Sequence, residues 1–275
     1  MIIEVKGGGF VNKGAQLMLQ ALLTRKNLIS DDSIFVMHMM SGSFSDRKSY
    51  RLGHLAWLHT WNYLPAAILI ETFFSFFPKS IRQKYNIWLK HEIQSVFDIS
   101  GFIYSDEFGA KPCQRMADYY TKLHQSGAKI ILMPQAMGPF SKPIVRKSVL
   151  KIIDAAKLIF IRDDVSFDYV TKLVGHLEKI VYAPDFTFSL KGKEQKKYND
   201  FKDRVCIIPN DKLFSSHTIE KNKYIGLLKS IISFCNQRKI RPFLLLHEYN
   251  KDNDLLDNLN GEIERSLDIV SESDP

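Results

Sequence analysis

Five short segments of this chain combine glycine with polar or charged side chains, and each directly follows a run of apolar residues. They are GGGFVNKGA at 7–15, DISGFIYSDEFG at 98–109, MPQAMGPF at 133–140, FIRDDVS at 160–166 and APDF at 183–186. Glycine lets a backbone approach a ligand closely, and the free N–H groups at the start of a following helix attract anions. The pattern therefore predicts several weak anion- or sugar-binding turns rather than one catalytic motif.

The first segment fits neither of the common phosphate-binding motifs. The dinucleotide fingerprint needs a glycine where Asn12 stands, and the P-loop needs Lys and Ser/Thr where Ala15 and Gln16 stand. What remains is a turn in which Gly9, Asn12 and Gly14 bind substrate at a helix N-terminus. The alternative is a tight turn with no ligand.

The second and third segments supply a candidate acid and two candidate hydrogen-bonding groups. Asp106 could transfer a proton, although it could equally cap a helix. Ser100 and Gly101 precede it in a turn that we expect to contact substrate. Gln135 is neutral, and its amide suits a sugar hydroxyl.

The fourth and fifth segments supply a candidate anion-binding group. An arginine at the end of a buried strand, such as Arg162, is costly unless it has an anionic partner, and its planar guanidinium suits a carboxylate or a phosphate. The alternative is an internal pair with Asp163 or Asp164, one of which we expect to cap the next helix. Ser166 and Asp185 are further candidate substrate contacts.

The elements that must position these residues alternate between strands and helices. Strands are predicted at 2–5, 33–39, 96–100, 129–133, 158–161 and 179–182, with helices at 14–26, 114–125 and 143–155 among them. This alternation predicts an α/β fold with a Rossmann-like parallel sheet covered by helices on both faces. All five polar segments then lie at the carboxyl ends of strands, the edge where open α/β sheets bind ligands.

The chain is expected to form two lobes. The prediction is an N-terminal Rossmann-like lobe at 1–190 with an apolar helical insertion around 55–92, a Lys-rich linker at 191–203 and a partial second Rossmann-like lobe at 204–275. Only two βα repeats are visible in the second lobe, with strands at 205–208 and 242–247 and helices at 220–239 and 253–266. His247 ends one of these strands and is a candidate ligand contact, or else a capping or exposed histidine.

Residues 55–78 are unusually rich in aromatic and aliphatic side chains. Pro65 and Glu71 interrupt the segment, so it does not resemble a spanning helix of about 20 apolar residues. One interpretation is a buried helical insertion or a subunit interface. The other is a peripheral membrane contact, with aromatic rings among the lipid headgroups and the flanking basic residues on anionic lipid.

Composition excludes several classes of protein. The chain has 275 residues, of which 45% are hydrophobic and 25% charged, and this excludes disorder, collagen and coiled coil for most of it. Three scattered cysteines favour a reducing compartment and no disulfide framework, and no spacing predicts a metal site. The net charge of +8 favours anionic partners. No nucleic-acid-binding motif accompanies it, so we expect no nucleic acid partner.

Taken together, the five segments resemble those of the polysaccharide pyruvyl transferase family. A weaker match follows at IIPN, 207–210, and LLLHEYNKDNDLL, 244–256. The resemblance implies a two-lobed GT-B-like fold and transfer of a pyruvyl group from phosphoenolpyruvate to a sugar, as a cyclic ketal. It implies no cofactor, and a cytoplasmic setting, or one peripheral on the inner face of the membrane. The implied acceptor is a sugar, an oligosaccharide or a lipid-linked glycan of capsule, exopolysaccharide or cell-wall synthesis.

The resemblance also implies roles for individual residues. Arg162 matches the family's Arg-Asp motif and would hold an anion, and Asp106 would transfer the proton. Family members usually carry an Arg-x-His segment in the second lobe that is associated with phosphoenolpyruvate, and none follows His247 here. We therefore expect an incomplete second lobe, whose missing part a partner chain in an oligomer could supply. The alternatives are a GT-B-like glycosyltransferase using a nucleotide sugar, and an inactive, truncated module that binds glycans or anions.

Overall fold

The chain divides into two compact units, Met1–Leu190 and Lys191–Pro275. The computed structural model describes residues 1–26, 29, 32–56, 64–192, 196–210, 219–246 and 267–271. The candidate ligand site lies in the first unit.

The first unit is built on an eight-stranded parallel sheet. Its strands are β1 (Ile2–Lys6), β2 (Ile34–His38), β3 (Gly53–Leu55), β4 (Ile87–Trp88), β5 (Ser95–Asp98), β6 (Lys129–Gln135), β7 (Ala156–Ile161) and β8 (Ile180–Tyr182). Their order in the sheet is β4-β3-β2-β1-β5-β6-β7-β8. The chain thus builds outward from β1 in one direction as far as β4 and then returns to place β5 on the other side of β1. Such a reversal of strand order creates a crevice at the carboxyl ends of the two central strands.

Helices pack on both faces of this sheet, as the sequence predicts. They are α1 (Lys13–Leu23), α2 (Phe44–Ser49), α3 (Leu64–Ser75), α4 (Lys79–Lys84), α5 (Ala110–Gln125), α6 (Pro143–Ala155) and α7 (Asp164–Val174). Two separate apolar clusters form the core. One joins the sheet to α5 and α6, and the other joins it to α1.

All six strands predicted for this unit are present, but β3 and β4 were not foreseen. Both are very short, at three and two residues, so they carry no readable alternation of apolar and polar residues. The segment predicted as a helical insertion, 55–92, does contain α3 and α4. It also contains β4, which pairs with β3 at the edge of the sheet. Residues 57–63 of that segment lie outside the described residues.

The second unit contains a three-stranded parallel sheet. Its strands are β9 (Val205–Ile207), β10 (Pro242–Leu246) and β11 (Asp268–Ser271), in the order β11-β10-β9, and α8 (Lys221–Gln237) packs against them. The third strand, β11, was not predicted. The helix predicted at 253–266 and the candidate residue His247 lie outside the described residues. The predicted linker contains a 3₁₀ turn at Lys196–Phe201.

Candidate functional site

A cavity of about 460 Å³ opens at the carboxyl ends of β1, β2 and β5, in the crevice where the strand order reverses. Its walls are formed by the turn after β1, the end of β2, the turn after β5 and the start of α5. Its size is within the usual range for small-molecule sites, and its position is where open α/β sheets bind ligands. We therefore treat it as the candidate ligand site of the first unit.

The floor of the cavity depends on a glycine at the end of β1. Gly7 has a φ of +79°, and a Cβ at this position would lie 2.3 Å from the Cα of Ser100. Only glycine fits such a contact without displacing backbone. The turn after β1 therefore packs directly on the turn after β5, and both Gly8 and Ser100 line the cavity.

Two basic side chains line the cavity, and one is held by a buried acid. The Lys6 Nζ lies 3.5 Å from Oε1 of Glu4 and 4.8 Å from the centre of the Tyr119 ring. Glu4 is completely buried and accepts a 2.7 Å hydrogen bond from the Tyr119 hydroxyl. Burial, together with the charge of Glu4, holds the pKa of Tyr119 well above its usual range, so the hydroxyl stays a donor. This contact network fixes the charged end of Lys6 at the cavity wall.

The second basic side chain is Arg115, on α5. It lines the cavity and is only partly exposed. Its guanidinium makes no hydrogen bond or ion pair with any residue that the structure describes. A partly buried guanidinium with unused donors is well suited to an anionic ligand.

His38 adds a neutral hydrogen-bond donor at the end of β2. Its Nδ1 accepts a 3.0 Å hydrogen bond from the Met40 N–H, which places the ring proton on Nε2. Burial, followed by the charges of Lys6 and Arg47, lowers the pKa of His38 to about 4. The imidazole is therefore neutral near pH 7.

A buried carboxylate anchors the turn after β5. Asp98 accepts hydrogen bonds from the hydroxyls of Tyr104 and Tyr120 and, at 2.8 Å, from the Ser100 N–H. Burial, and then the Asp98 charge, raises the pKa of both tyrosines well above the usual range, so both remain donors. The predicted site residue Ser100 owes its position to this network.

Gln135, predicted to contact a sugar, lies beside the cavity rather than in its wall. It is fully buried, its Nε2 donates to the Asp98 carbonyl at 3.0 Å, and its Oε1 accepts from the Ser100 hydroxyl at 3.4 Å. The backbone N–H of its neighbour Ala136 donates to the Gly101 carbonyl. Gln135 therefore supports the turn that contains Ser100 and Gly101.

Arg162 has the anionic partner that its position demands, but the partner is Asp185. The two side chains meet at 2.9 Å and are about a quarter exposed, at 27% and 25%. The expected alternative partner Asp163 instead caps α7, which confirms the prediction that an acid of this segment is a helix cap. The pair lies close to the turn after β5, because a Cβ on Gly101 would lie 3.7 Å from Nη1 of Arg162.

Asp106 and Ser166 hold neighbouring loops together. The Asp106 carboxylate accepts hydrogen bonds from the Ser141 N–H and hydroxyl and from the Lys142 N–H, at 2.5–3.1 Å. Burial opposes its charge, but these hydrogen bonds outweigh burial and leave its pKa below the usual value. Ser166 accepts from the Met137 N–H and donates to Asp163. Neither side chain lines the cavity.

The glycine-rich turn uses its asparagine as a helix cap. The Asn12 side chain accepts a 3.0 Å hydrogen bond from the Ala15 N–H, and a Cβ on Gly14 would lie 3.2 Å from the same oxygen. Gly9, Asn12 and Gly14 are not part of the cavity wall, whereas Gly7 and Gly8 are. Of this segment, the residues nearest the cavity are therefore those at its beginning.

The structure therefore brings some of the predicted residues together and separates others. Ser100 lines the cavity, and Gly101, Gln135, Arg162 and Asp185 form the network beside it. The cavity residues that sequence reasoning missed are Lys6, His38 and Arg115. Lys6 and His38 end β1 and β2, so the carboxyl-end rule could have found them. The sequence offers no comparable signal for Arg115 on α5.

The parallel sheets and the cavity at the reversal of strand order define a GT-B-like α/β protein. Solved structures with this fold include Anabaena Alr3699/HepE in complex with UDP and glucose, at 11% identity and a TM-score of 0.53, with 98% of this chain and 68% of that chain covered. S. aureus MnaA with UDP matches at 11% identity and a TM-score of 0.55, with 98% and 68% covered. The UDP-GlcNAc 2-epimerase of Methanocaldococcus jannaschii matches at 11% identity and a TM-score of 0.51. The match covers 98% of this chain and 73% of that chain. At these identities the similarity shows the fold alone.

The sequence itself gives the family. Residues 12–274 match the model of the family described as polysaccharide pyruvyl transferase, and the chain belongs to that family. The chain is thus a member of a transferase family that modifies polysaccharides. No curated protein is similar to it at a significant level.

Proposed function

We propose that this chain transfers a pyruvyl group from phosphoenolpyruvate to a sugar of a polysaccharide or its precursor, forming a pyruvate ketal. The observation that carries the proposal is the cavity at the reversal of strand order, with Lys6 and Arg115 in its wall, together with membership of the family. Phosphoenolpyruvate carries a carboxylate and a phosphate on one small carbon frame. Cationic groups and N–H donors placed close together suit such a ligand.

Each polar residue of the cavity is proposed to contribute differently to binding of the donor. Lys6 offers a compact charge held in place by Glu4, and Arg115 offers a planar set of donors from the facing helix. His38 is neutral near pH 7 and lines the cavity, so it adds no charge to the site. Arg162 is proposed as a further anion-binding group beside the cavity, because only Nη1 of its guanidinium is hydrogen-bonded within the described residues.

The reaction requires two additions to the same carbon of the donor. One sugar hydroxyl adds to the carbon that bears the phosphate and loses its proton, while the adjacent methylene gains a proton to become a methyl group. The carbon–oxygen bond to phosphate then breaks and inorganic phosphate leaves. A second hydroxyl adds in its place and loses its proton to the phosphate or to solvent. The cations would stabilise the departing phosphate.

Asp106 is poorly suited to donate the proton to the methylene carbon. A general acid must hold a proton near neutral pH, whereas the hydrogen bonds to Asp106 favour its ionised form. Its proposed contribution is to fix the loop at Ser141 and Lys142 beside the site. Ser100 remains the proposed substrate contact of this segment because it lines the cavity.

Calorimetric titration with phosphoenolpyruvate tests the proposal directly. We expect the wild-type chain to bind, and Lys6→Ala to bind roughly 10- to 100-fold more weakly, as for the loss of a hydrogen bond to a charged group. Lys129→Ala is the matched control, because Lys129 is exposed and lies at the opposite, amino end of β6. Equal binding by wild type and Lys6→Ala would remove the cavity as the donor site.

A nucleotide-sugar donor is the second candidate. It is favoured by two of the similar solved structures, which contain UDP and glucose or UDP. A ligand that binds the native state raises the unfolding temperature, so thermal unfolding with each ligand separates the two. Stabilisation by UDP-glucose and none by phosphoenolpyruvate would favour this candidate over the first.

A further inference from the structure

Six large apolar side chains on α3, on α4 and in the turns that follow these two helices face solvent in the first unit. We call them the aromatic patch, and they are Leu69, Phe73, Phe76, Phe77, Ile81 and Tyr85. Phe76 is 81% exposed and Phe73 58%. Single exposed apolar residues are common on protein surfaces, but a cluster of this kind marks an interaction site. The exposure of these residues contradicts the interpretation of a buried helical insertion and leaves the subunit interface and the membrane contact.

The rings of this region contact one another, so the exposed residues form a surface rather than isolated points. The ring centres of Phe73 and Phe77 lie 5.3 Å apart, and Phe74 lies 5.3 Å from Phe73 and 6.3 Å from Phe77. On α3, Leu69 and Phe73 are four residues apart and therefore share a helix face. Ile81 and Tyr85 have the same spacing at α4.

A buried ion pair holds the patch in its exposed position. Arg82 on α4 and Glu92 meet at 2.6 Å, with side chains only 7% and 8% exposed. Arg82 also donates to the Phe77 carbonyl, at 3.4 Å, and so ties the turn between the helices to α4. The exposed rings are thus presented from a fixed support.

The sequence around the patch has more basic than acidic residues. Between residues 72 and 91 the sequence contains Lys79, Arg82, Lys84 and Lys90 and no Asp or Glu. Lys79 and Lys84 are exposed, and the Lys79 Nζ lies 3.7 Å from Oε1 of Glu92. The nearest acid before this stretch, Glu71, is only partly exposed. Apolar rings bordered by lysines match the headgroup layer of an anionic bilayer, where aromatic rings and cations are both stabilised.

We propose that the aromatic patch docks this protein on an anionic lipid surface. The contact would be interfacial, since α3 has 12 residues and is about 18 Å long, shorter than the ~30 Å apolar core of a bilayer. None of the helices in the described ranges is long and apolar enough to cross a membrane. A second copy of the chain fits less well, because a symmetric contact would bring Lys79 and Lys84 of both copies together in a protein of net charge +8.

Vesicle flotation tests this proposal. Wild-type protein should float with vesicles of phosphatidylcholine and phosphatidylglycerol, float far less with phosphatidylcholine alone, and be released as salt is raised. Phe73→Ser/Phe76→Ser should weaken binding by at least about tenfold, from the lost apolar contact. Lys79→Gln/Lys84→Gln should weaken it roughly fivefold per lysine, on the anionic vesicles only.

The controls separate lipid binding from folding and self-association. Phe188→Ser replaces an 85%-exposed phenylalanine outside the patch and should float as wild type does. Circular dichroism should show the same unfolding temperature for every variant, since the replaced side chains are exposed. The proposal fails if wild type stays with the unbound fraction, or if the Phe73→Ser/Phe76→Ser variant floats equally well. It also fails if light scattering shows a dimer that this variant dissociates while no form binds vesicles.

Discussion

Substitutions at Arg162 and Asp185 separate ligand binding from structural support. Both residues contribute to one ion pair, so removing either should lower stability in the same direction. Their effects on an anionic ligand should be opposite, because one attracts the ligand and the other competes with it for the guanidinium. Asp185→Asn is the suitable change, since its remaining oxygen can still accept from the Thr187 N–H and hydroxyl.

The magnitudes follow from the exposure of the pair. Ion pairs of this accessibility contribute about 0.2–1 kcal/mol, so either variant should lower the unfolding temperature by up to about 4 °C. Arg162→Ala should weaken phosphoenolpyruvate binding roughly 10- to 100-fold through the lost charge-assisted hydrogen bond. Asp185→Asn removes a repulsion that, at a separation of about 6 Å, is worth between about 0.7 kcal/mol in bulk water and about 3 kcal/mol near a protein surface. It should therefore strengthen binding by at least roughly threefold.

Calorimetric titration and thermal unfolding of the same three proteins provide the comparison. If Arg162→Ala binds phosphoenolpyruvate as tightly as wild type, Arg162 is not an anion-binding group. If both variants weaken binding equally, the pair acts by holding the turn at Gly101 in place. Only opposite signs of the binding change, with equal signs of the stability change, support direct contact.

Two further predictions concern stability and pH. The folded state disfavours protonation of His38, so the free energy of unfolding should have its full value above pH 6.5. It should fall by roughly 3 kcal/mol as the pH drops to about 4. Urea unfolding across this range should show a smaller fall for His38→Gln, and an unchanged fall would contradict the assigned environment. Asp106→Asn removes a hydrogen-bond acceptor for Ser141 or Lys142 and should lower the free energy of unfolding by about 1–3 kcal/mol. The control Glu107→Gln, at the exposed neighbouring residue, should change it by less than about 0.5 kcal/mol. Similar unfolding midpoints for the two would refute the anchoring role of Asp106.

The fold could be predicted from the sequence where its elements are long. Strands such as β6 and β7 are largely apolar runs, and helices such as α5 and α6 repeat apolar residues at helical spacing. The local sequence is therefore enough to predict whether each of them is a strand or a helix. The strands β3 and β4, at one side of the sheet, have three and two residues, and nothing in so short a run distinguishes a strand from a loop. They form because the sheet already present offers an edge for their backbone to pair with.

The site was harder to predict because its partners are distant in sequence. The rule that ligands bind at the carboxyl ends of strands correctly predicted that Ser100 lies at a cavity. The free-energy cost of burying an unpaired charge correctly predicted an anionic partner for Arg162. The rule could not choose Asp185 over Asp163, since that choice depends on how the turn after β8 folds back. It also could not show that Gln135 faces the backbone of Asp98 rather than a ligand.

Lys6 shows how burial of one residue determines the chemistry of another. Glu4 lies in the middle of an apolar strand, where an unpaired carboxylate would be strongly destabilising. Its partners are Lys6, two residues away, and Tyr119, 115 residues away on α5. The tyrosine hydroxyl satisfies one carboxylate oxygen, and the lysine ammonium lies near the other. Because Lys6 lies at the end of β1, satisfying this buried acid also places a positive charge in the cavity wall. The stability of β1 and the capacity of the cavity to bind an anion are therefore coupled through the same side chain.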